Sequence, residues 1–468
     1  MPRDPAGPGP GFPPVGLRPL ARKALHGWLL LGAGALAIAG TLALLLALMR
    51  SPGAEAWLPW PPIDSFRKIL VSHVVFAFVL WFWAIIGALT VAAKGNGRAG
   101  LAGLGLAAAG AALVLIPPLA GLGEPALANY IPVLVDPTFM AGLALFAAGV
   151  AVPAAHLLLS PVRQGSALAL GVATAGALFI LAAICVALAW QTLPAGADPL
   201  AHVDTLVWGG GHVLQFAYTA LALAGWQALG AQAFGSPPLG RVAWRIVCGL
   251  LLAAALPGPV FYLALGHDPA ALRQAFTTLY WIGLPLPVGI AAAALAAAMR
   301  RGPRDWRSPA FLGAALSLGL FLLGAAMGLF ADGADTRTPA HYHAEIGGVN
   351  LALIGLVFAQ LLPALGRAGT NSRAVRLQFW LYGLGQAAAS LGLFLAGSEG
   401  VARKIAGMAQ GLDTAAKQGG MGLAGAGGVV AVAGGVLFIW LALRRLLTKG
   451  DGIGSARPNP SPSRGGAK

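Results

Sequence analysis

The sequence predicts an all-α membrane protein of about twelve transmembrane helices with both termini cytoplasmic. Three observations carry that expectation. The 468-residue chain is 58% hydrophobic and only 10% charged, with a mean hydropathy of +0.77, a balance that belongs to polytopic membrane proteins rather than soluble ones. Its apolar residues fall in runs of about 20 or longer, the length needed to cross a hydrocarbon core of ~30 Å. Its basic residues concentrate in alternate connections between those runs, which is the signature of an inserted chain with a defined orientation.

The runs place spans at 25–49, 68–93, 99–121, 138–159, 166–190, 203–230, 242–265, 276–299, 309–331, 339–365, 377–396 and 424–447. With the N-terminus inside, 22 of the 30 Lys and Arg residues lie on the inner side, and 12 of the 15 Asp and Glu lie on the outer side or in helix starts facing it. The net charge of +15 is therefore topology, and a nucleic-acid partner is excluded. Residues 1–24 and 448–468 read as disordered cytoplasmic tails flanking a membrane domain over 25–447, the first ~17 residues being rich in Pro and Gly. The first apolar run is too long and too late for a cleavable signal peptide. Cys185 and Cys248 both fall inside apolar spans and read as buried thiols, with no disulfide or metal spacing.

Eight histidines are present, and their depth is more informative than their number. His73 lies about six residues into the second span, His212 about ten into the sixth, and His341 and His343 two to four into the tenth. These spans enter from the outer face, so at ~1.5 Å rise per residue the four side chains occupy one layer within roughly 15 Å of it. His26, His156, His202 and His267 fall at span ends or in loops, where histidine is ordinary. In His341-Tyr342-His343 the two imidazoles are one residue apart, and a helix turns about 100° per residue. They point to nearly opposite faces and can each serve a different cofactor. An ionisable group inside a span is a functional candidate, and neutral imidazole is a common axial ligand of haem iron.

These residues resemble subunit I, the catalytic subunit, of the haem-copper oxidase superfamily, which includes cytochrome oxidases and nitric oxide reductases, over about residues 25–447. The matching elements are His73 on the second span, Val207-Trp208-Gly209-Gly210-Gly211-His212-Val213 on the sixth, and Ala340-His341-Tyr342-His343-Ala344 with Gly347 and Gly348 on the tenth. The resemblance implies two haems. His73 and His343 would clamp a low-spin haem, and His341 would hold a high-spin haem that binds the gas. His212 would be a ligand of a second active-site metal, copper or iron. Arg337, Arg403 and Lys404 in outer connections would pair with haem propionates. The chain departs from the family where a His-His pair completes the copper site about fifty residues after the sixth-span histidine. Tyr262 and Leu263 stand there, with His267 close by. It also has Phe216 where many oxygen reducers carry a tyrosine four residues after that histidine, leaving Tyr262 and Tyr280 as tyrosines that could approach the site.

Glu345 is the only acid well inside a span, a candidate proton relay or haem-side partner. No C-x-x-C-H haem-attachment motif is present, so electrons would come from an electron-donating subunit, a cytochrome c or a quinol. The expected protein is thus an integral multi-pass protein of a bacterial cytoplasmic membrane, in contact with lipid and active in a respiratory chain. The expected function is the catalytic subunit of a terminal oxidase that reduces O2 to water with His341 and His212 at its reacting centre. The alternatives are a nitric oxide reductase on the same scaffold, and a non-catalytic haem-bearing homologue that transfers electrons or senses gas. A transporter is disfavoured because it would place polar groups at the midplane and break its helices there, whereas these histidines lie in the outer third.

Overall fold

The structure, a computed structural model, describes residues 17–53, 63–159, 166–196, 198, 202–266, 268–331, 333–367 and 370–448. Among these, twelve long helices follow one another: α1 Pro19–Arg50, α2 Phe66–Lys94, α3 Gly97–Leu119, α4 Pro137–Leu158, α5 Ala167–Gln191, α6 Val203–Phe234, α7 Arg241–Leu265, α8 Pro269–Arg301, α9 Pro309–Gly328, α10 Arg337–Ala364, α11 Arg373–Ser398 and α12 Ala415–Leu447. Eleven are long and apolar enough to cross a membrane. The remaining one, α6, is equally long but carries His212, Gln215, Thr219 and Gln227 within its length. The chain is an integral multi-pass membrane protein. Its helix starts are set by local chemistry. Asp136, Ser166, Asp268, Ser308, Ser372 and Thr414 each accept a hydrogen bond from a first-turn backbone N–H, satisfying donors that would otherwise be orphaned.

Each expected span overlaps one helix, five of them running one to three residues past an end of it, and the N-terminal tail boundary shifts. Residues 19–24, read from the sequence as part of the N-terminal tail, form the first turns of α1. Pro19 sits in the first turn, where its missing N–H removes no helical hydrogen bond, and Ala21 and Ala24 are buried. The rest of that tail and nearly all of the C-terminal one, residues 1–16 and 449–468, lie outside the described residues. Both described ends meet at one end of the bundle. The ring Nε2 of His26 is 3.0 Å from the carbonyl oxygen of Leu446, and Arg367 donates to the carbonyls of Leu446 and Thr448. An even number of crossings returns the chain to the side from which it started, as the charge distribution requires.

Buried polar links tie the core together where lipid offers none. The indole N–H of Trp81 on α2 donates to Asn350 Oδ1 on α10 at 2.8 Å, and Asn350 Nδ2 donates to Tyr382 Oη on α11 at 2.9 Å. Trp226 on α6 donates to Ser317 Oγ on α9 at 2.7 Å. Two helices contain wide, π-type turns: Val75–Leu80 in α2, starting two residues after His73, and Val357–Leu361 in α10. Such turns insert a residue, shift the register of the side chains and gather at functional sites.

The α3–α4 connection holds a two-stranded antiparallel hairpin that the sequence did not announce. Strands β1 Glu124–Ala126 and β2 Val133–Val135 pair with Pro125 opposite Leu134. The hairpin tip reaches over the outer end of the bundle and carries Asn129 and Tyr130 into its interior.

Candidate functional site

A cavity of about 1100 Å³ lies within the bundle, slightly above the usual range for small-molecule sites. His73, His212, His341 and His343 all line it. Three of the four rings are held in the same way. His73 Nδ1 lies 3.0 Å from the carbonyl of Ala39 on α1, His212 Nδ1 lies 2.8 Å from that of Trp208, and His341 Nδ1 lies 2.8 Å from that of Gly324 on α9. A carbonyl can only accept, so each Nδ1 carries the proton and each Nε2 presents its lone pair. This is the arrangement that fixes the tautomer and orientation of a metal-bound histidine.

The opposite-face geometry of the H-x-H pair is realised. His341 turns toward α9, where its ring lies against Gly328; a Cβ on that glycine would stand 2.7 Å from Nδ1. Its Nε2 is 3.7 Å from Glu345 Oε2, one turn along α10. His343 turns the other way, toward α1 and α2, within electrostatic reach of His73 and Arg50. Between them Tyr342 is within reach of Arg50 and Arg403.

The cations divide. Arg403 and Lys404 line the outer end of the cavity and are steered by the hairpin: Arg403 Nη2 donates to Asn129 Oδ1 at 3.2 Å, and Lys404 Nζ donates to the carbonyl of Leu127. Lys404 is the only described non-glycine residue with positive φ, at 62°. A left-handed backbone there costs on the order of 1 kcal/mol and persists only where the surroundings impose it. Burial, with Arg403 adding to it and Asp204 opposing, lowers the Lys404 ammonium to about 8. Arg337, expected from the sequence to face the same anions, does not line the cavity. Its Nε lies 3.0 and 2.9 Å from the two carboxylate oxygens of Asp335, and its Nη2 is 2.6 Å from Oδ2. A bidentate carboxylate already two residues away captures the guanidinium.

Arg50 takes the place that Arg337 does not. It closes α1, lines the cavity, and its buried Nε and Nη2 donors have no hydrogen-bond partner among the described residues. An unpaired guanidinium beside an apolar cavity is costly unless an anion completes it. The signal for it in the sequence is a basic residue ending an apolar run on the side where basic residues are scarce.

Around His212 the structure assembles rings. The Tyr130 hydroxyl is 2.9 Å from His212 Nε2. Ring centroids of Tyr130, Trp208, Phe276 and Tyr280 lie 4.4, 4.9, 5.9 and 6.3 Å from that of His212. Tyr280 lines the cavity, whereas Tyr262 does not; its buried hydroxyl packs beneath Gly209. Burial pushes the Tyr130 phenol above its ordinary range, so it remains an O–H donor. No group of three or more His, Cys, Asp or Glu able to hold a metal occurs among the described residues. His267 lies outside them. Cys185 and Cys248 are buried free thiols, as their positions in apolar spans suggested.

The structure superposes on a chain of a heme-copper terminal oxidase dimer solved by cryo-electron microscopy with a TM-score of 0.70, covering 92% of this chain and 85% of that one at 17% identity. The chain has a haem-copper-oxidase-like fold. No protein-family model matches it. An uncharacterized protein of Aquifex aeolicus is 29% identical over 346 residues, 71% of this chain and 83% of that protein. The uncharacterized protein RP382 of Rickettsia prowazekii is 22% identical over 454 residues, 81% and 88% of the two chains.

The lining has the chemistry to hold haem. Both His73 and His341 offer an oriented Nε2, the walls include Phe78, Phe82 and Phe321, and Arg50, Arg403 and Lys404 wait at the outer end, where carboxylate side groups would need cations.

Proposed function

We propose that this chain is the haem-bearing catalytic subunit of a membrane terminal oxidase, passing electrons to O2 and releasing water. His73 and His343 would hold a low-spin haem from both sides, and His341 a second, high-spin haem with one open face. A haem bound there supplies reversible one-electron chemistry and an iron site for the gas. The observation that carries this reading is the shared cavity, with three Nδ1–H anchors, opposed His341 and His343, and a cationic end. Each protein group then has a task. The carbonyls of Ala39 and Gly324 orient the ligating rings. Glu345 sits one turn from His341 and can hold or pass a proton beside it. Arg50, Arg403 and Lys404 neutralise carboxylates. Electrons would enter from a partner subunit, a cytochrome c or a quinol, in a bacterial cytoplasmic membrane.

One observation favours a second reading, a homologue that binds gas at the same haem but reduces it slowly or not at all. His212 is surrounded by rings rather than by further metal-ligand side chains. Haem content of the purified chain, with O2 and NO consumption measured under an artificial electron donor, decides among the readings. Two haems and fast O2 uptake support the oxidase, and fast NO uptake alone assigns a nitric oxide reductase. Two haems without turnover support the gas-binding homologue, and absence of haem rejects all three.

Two effects are expected at the cationic end. Arg50→Leu should weaken haem retention by about tenfold or more, since hydrogen bonds to charged groups contribute roughly 1.5–3 kcal/mol. It should also lower the haem potential, because a cation favours electron arrival; haem loss to apomyoglobin and redox titration measure both. Lys404 adds a pH dependence. Its folded value of about 8 lies below the ordinary 10.5, so it is charged below about 8 and neutral above. Haem retention should weaken as pH rises through about 8, and Lys404→Met should flatten that profile. The haem-free protein should respond oppositely. Between about 8 and 10.5 the unfolded chain holds more protons, so unfolding stability rises across that window.

A further inference from the structure

The side of the cavity around His212 raises a question separate from the haems, although the answer rests on the haem-binding reading for its functional meaning. A histidine that ligates a metal needs a free lone pair, companion ligands and an anchored second nitrogen. His212 has the anchor, through the Trp208 carbonyl at 2.8 Å. Among the described residues it lacks the other two. Its only lone pair, on Nε2, faces the Tyr130 hydroxyl at 2.9 Å, a normal O–H···N distance. Its neighbours within ring-contact distance are Tyr130, Trp208, Phe276 and Tyr280, none of which brings imidazole, thiolate or carboxylate.

We infer that His212 is the hydrogen-bond acceptor for Tyr130 and that this side of the cavity works without a metal ion. The tautomer supports the assignment without adjustment. Nδ1–H donates to Trp208, Nε2 accepts from Tyr130, and both buried nitrogens are satisfied by the protein alone. A metal ion would have to displace the Tyr130 O–H and leave that half-buried hydroxyl without its acceptor. It would gain one imidazole in return, too few ligands for tight binding of copper or iron.

The surrounding structure is built to hold the pair. Tyr130 comes from the hairpin tip, and its ring fills the space over Gly211, where a Cβ would stand 2.4 Å from Tyr130 Cβ. Trp208, which supplies the anchoring carbonyl, is covered by the Arg273 guanidinium at 4.8 Å from its ring, and Arg273 is held 3.0 Å from Asp204. Such a wall offers a diatomic ligand phenol hydroxyls and aromatic edges in place of a second metal. That suits a neutral diatomic gas bound to one iron.

The test uses the full-length chain purified with its haems. Copper, iron and zinc are counted per chain by mass spectrometry against haem measured separately, before and after incubation with cuprous ion and desalting. Iron equal to haem, with no copper or zinc retained by the wild type, is the expected result. One further metal per chain that is lost in His212→Phe overturns the inference. A second measurement reads the pair directly. In thermal unfolding, Tyr130→Phe and His212→Phe should each lower the melting temperature, and the double variant should fall no further than the worse single one. Additive losses would show that the two side chains do not act together and would overturn the pairing. Absence of haem would count against the proposed function alone, because metal retention and the pairing cycle are read independently of it.

Discussion

Replacing His343 with leucine is expected to abolish the absorption bands of the low-spin haem, and His73→Leu should abolish the same bands. His341→Leu should leave those bands in place and remove the high-spin species instead. The expectation follows from two facts: the H-x-H rings leave α10 in opposite directions, and only His343 turns toward His73. Each substitution should lower the haem count from two toward one. Electron throughput to gas should fall by at least about 100-fold, exceeding the roughly 10–100-fold typical of losing an outer partner of a metal ligand. Absorption and magnetic circular dichroism spectra of the reduced variants check the assignment. If His341→Leu and His343→Leu removed the same bands, the two rings would serve one cofactor, and the opposed-face reading would be wrong.

Gly328→Ala is expected to damage only one of the two proposed haem sites without replacing a proposed ligand. The added methyl would lie 2.7 Å from His341 Nδ1 and 2.9 Å from Cε1, closer than carbon atoms tolerate. The ring must swing away from the Gly324 carbonyl and lose the 2.8 Å bond that sets its tautomer. Overpacking of this kind costs about 1–3 kcal/mol, and loss of the anchoring bond should weaken the haem on His341 by about 10–100-fold. The low-spin bands should persist. Gly319→Ala on the same helix is the control, because a Cβ there meets nothing within 4 Å. It should be neutral or slightly stabilising, since alanine is the better helix former. Thermal unfolding and haem-loss rates distinguish the two variants.

Much of this molecule is legible in its sequence. Apolar run length and the placement of Arg and Lys were sufficient for twelve helices, because lipid leaves a spanning chain little other choice. Histidine depth was also legible, since rise per residue converts position in a run into distance from the membrane face. His73, His212, His341 and His343 could therefore be assigned to one layer, and the structure brings them to one cavity.

Other features depended on distances between parts of the chain that are far apart in sequence. Tyr130 is 82 residues from His212 and reaches it only because a hairpin bends over the bundle; the sequence directed attention to Tyr262 and Tyr280 on the neighbouring helices instead. Arg337 looked equivalent to Arg403 as a loop cation, yet Asp335 claims it. Arg50, at the end of an apolar run, lines the cavity with Nε and Nη2 donors that have no partner among the described residues. The sequence alone determined what the solvent imposes on every residue locally: which segments are helical and membrane-embedded, how they are oriented, and at what depth their polar groups lie. Only the tertiary structure decided which polar group meets which, because that depends on helix rotation, register shifts such as the turn after His73, and the path of connections. Each of these is set by packing summed over many residues rather than by any one of them.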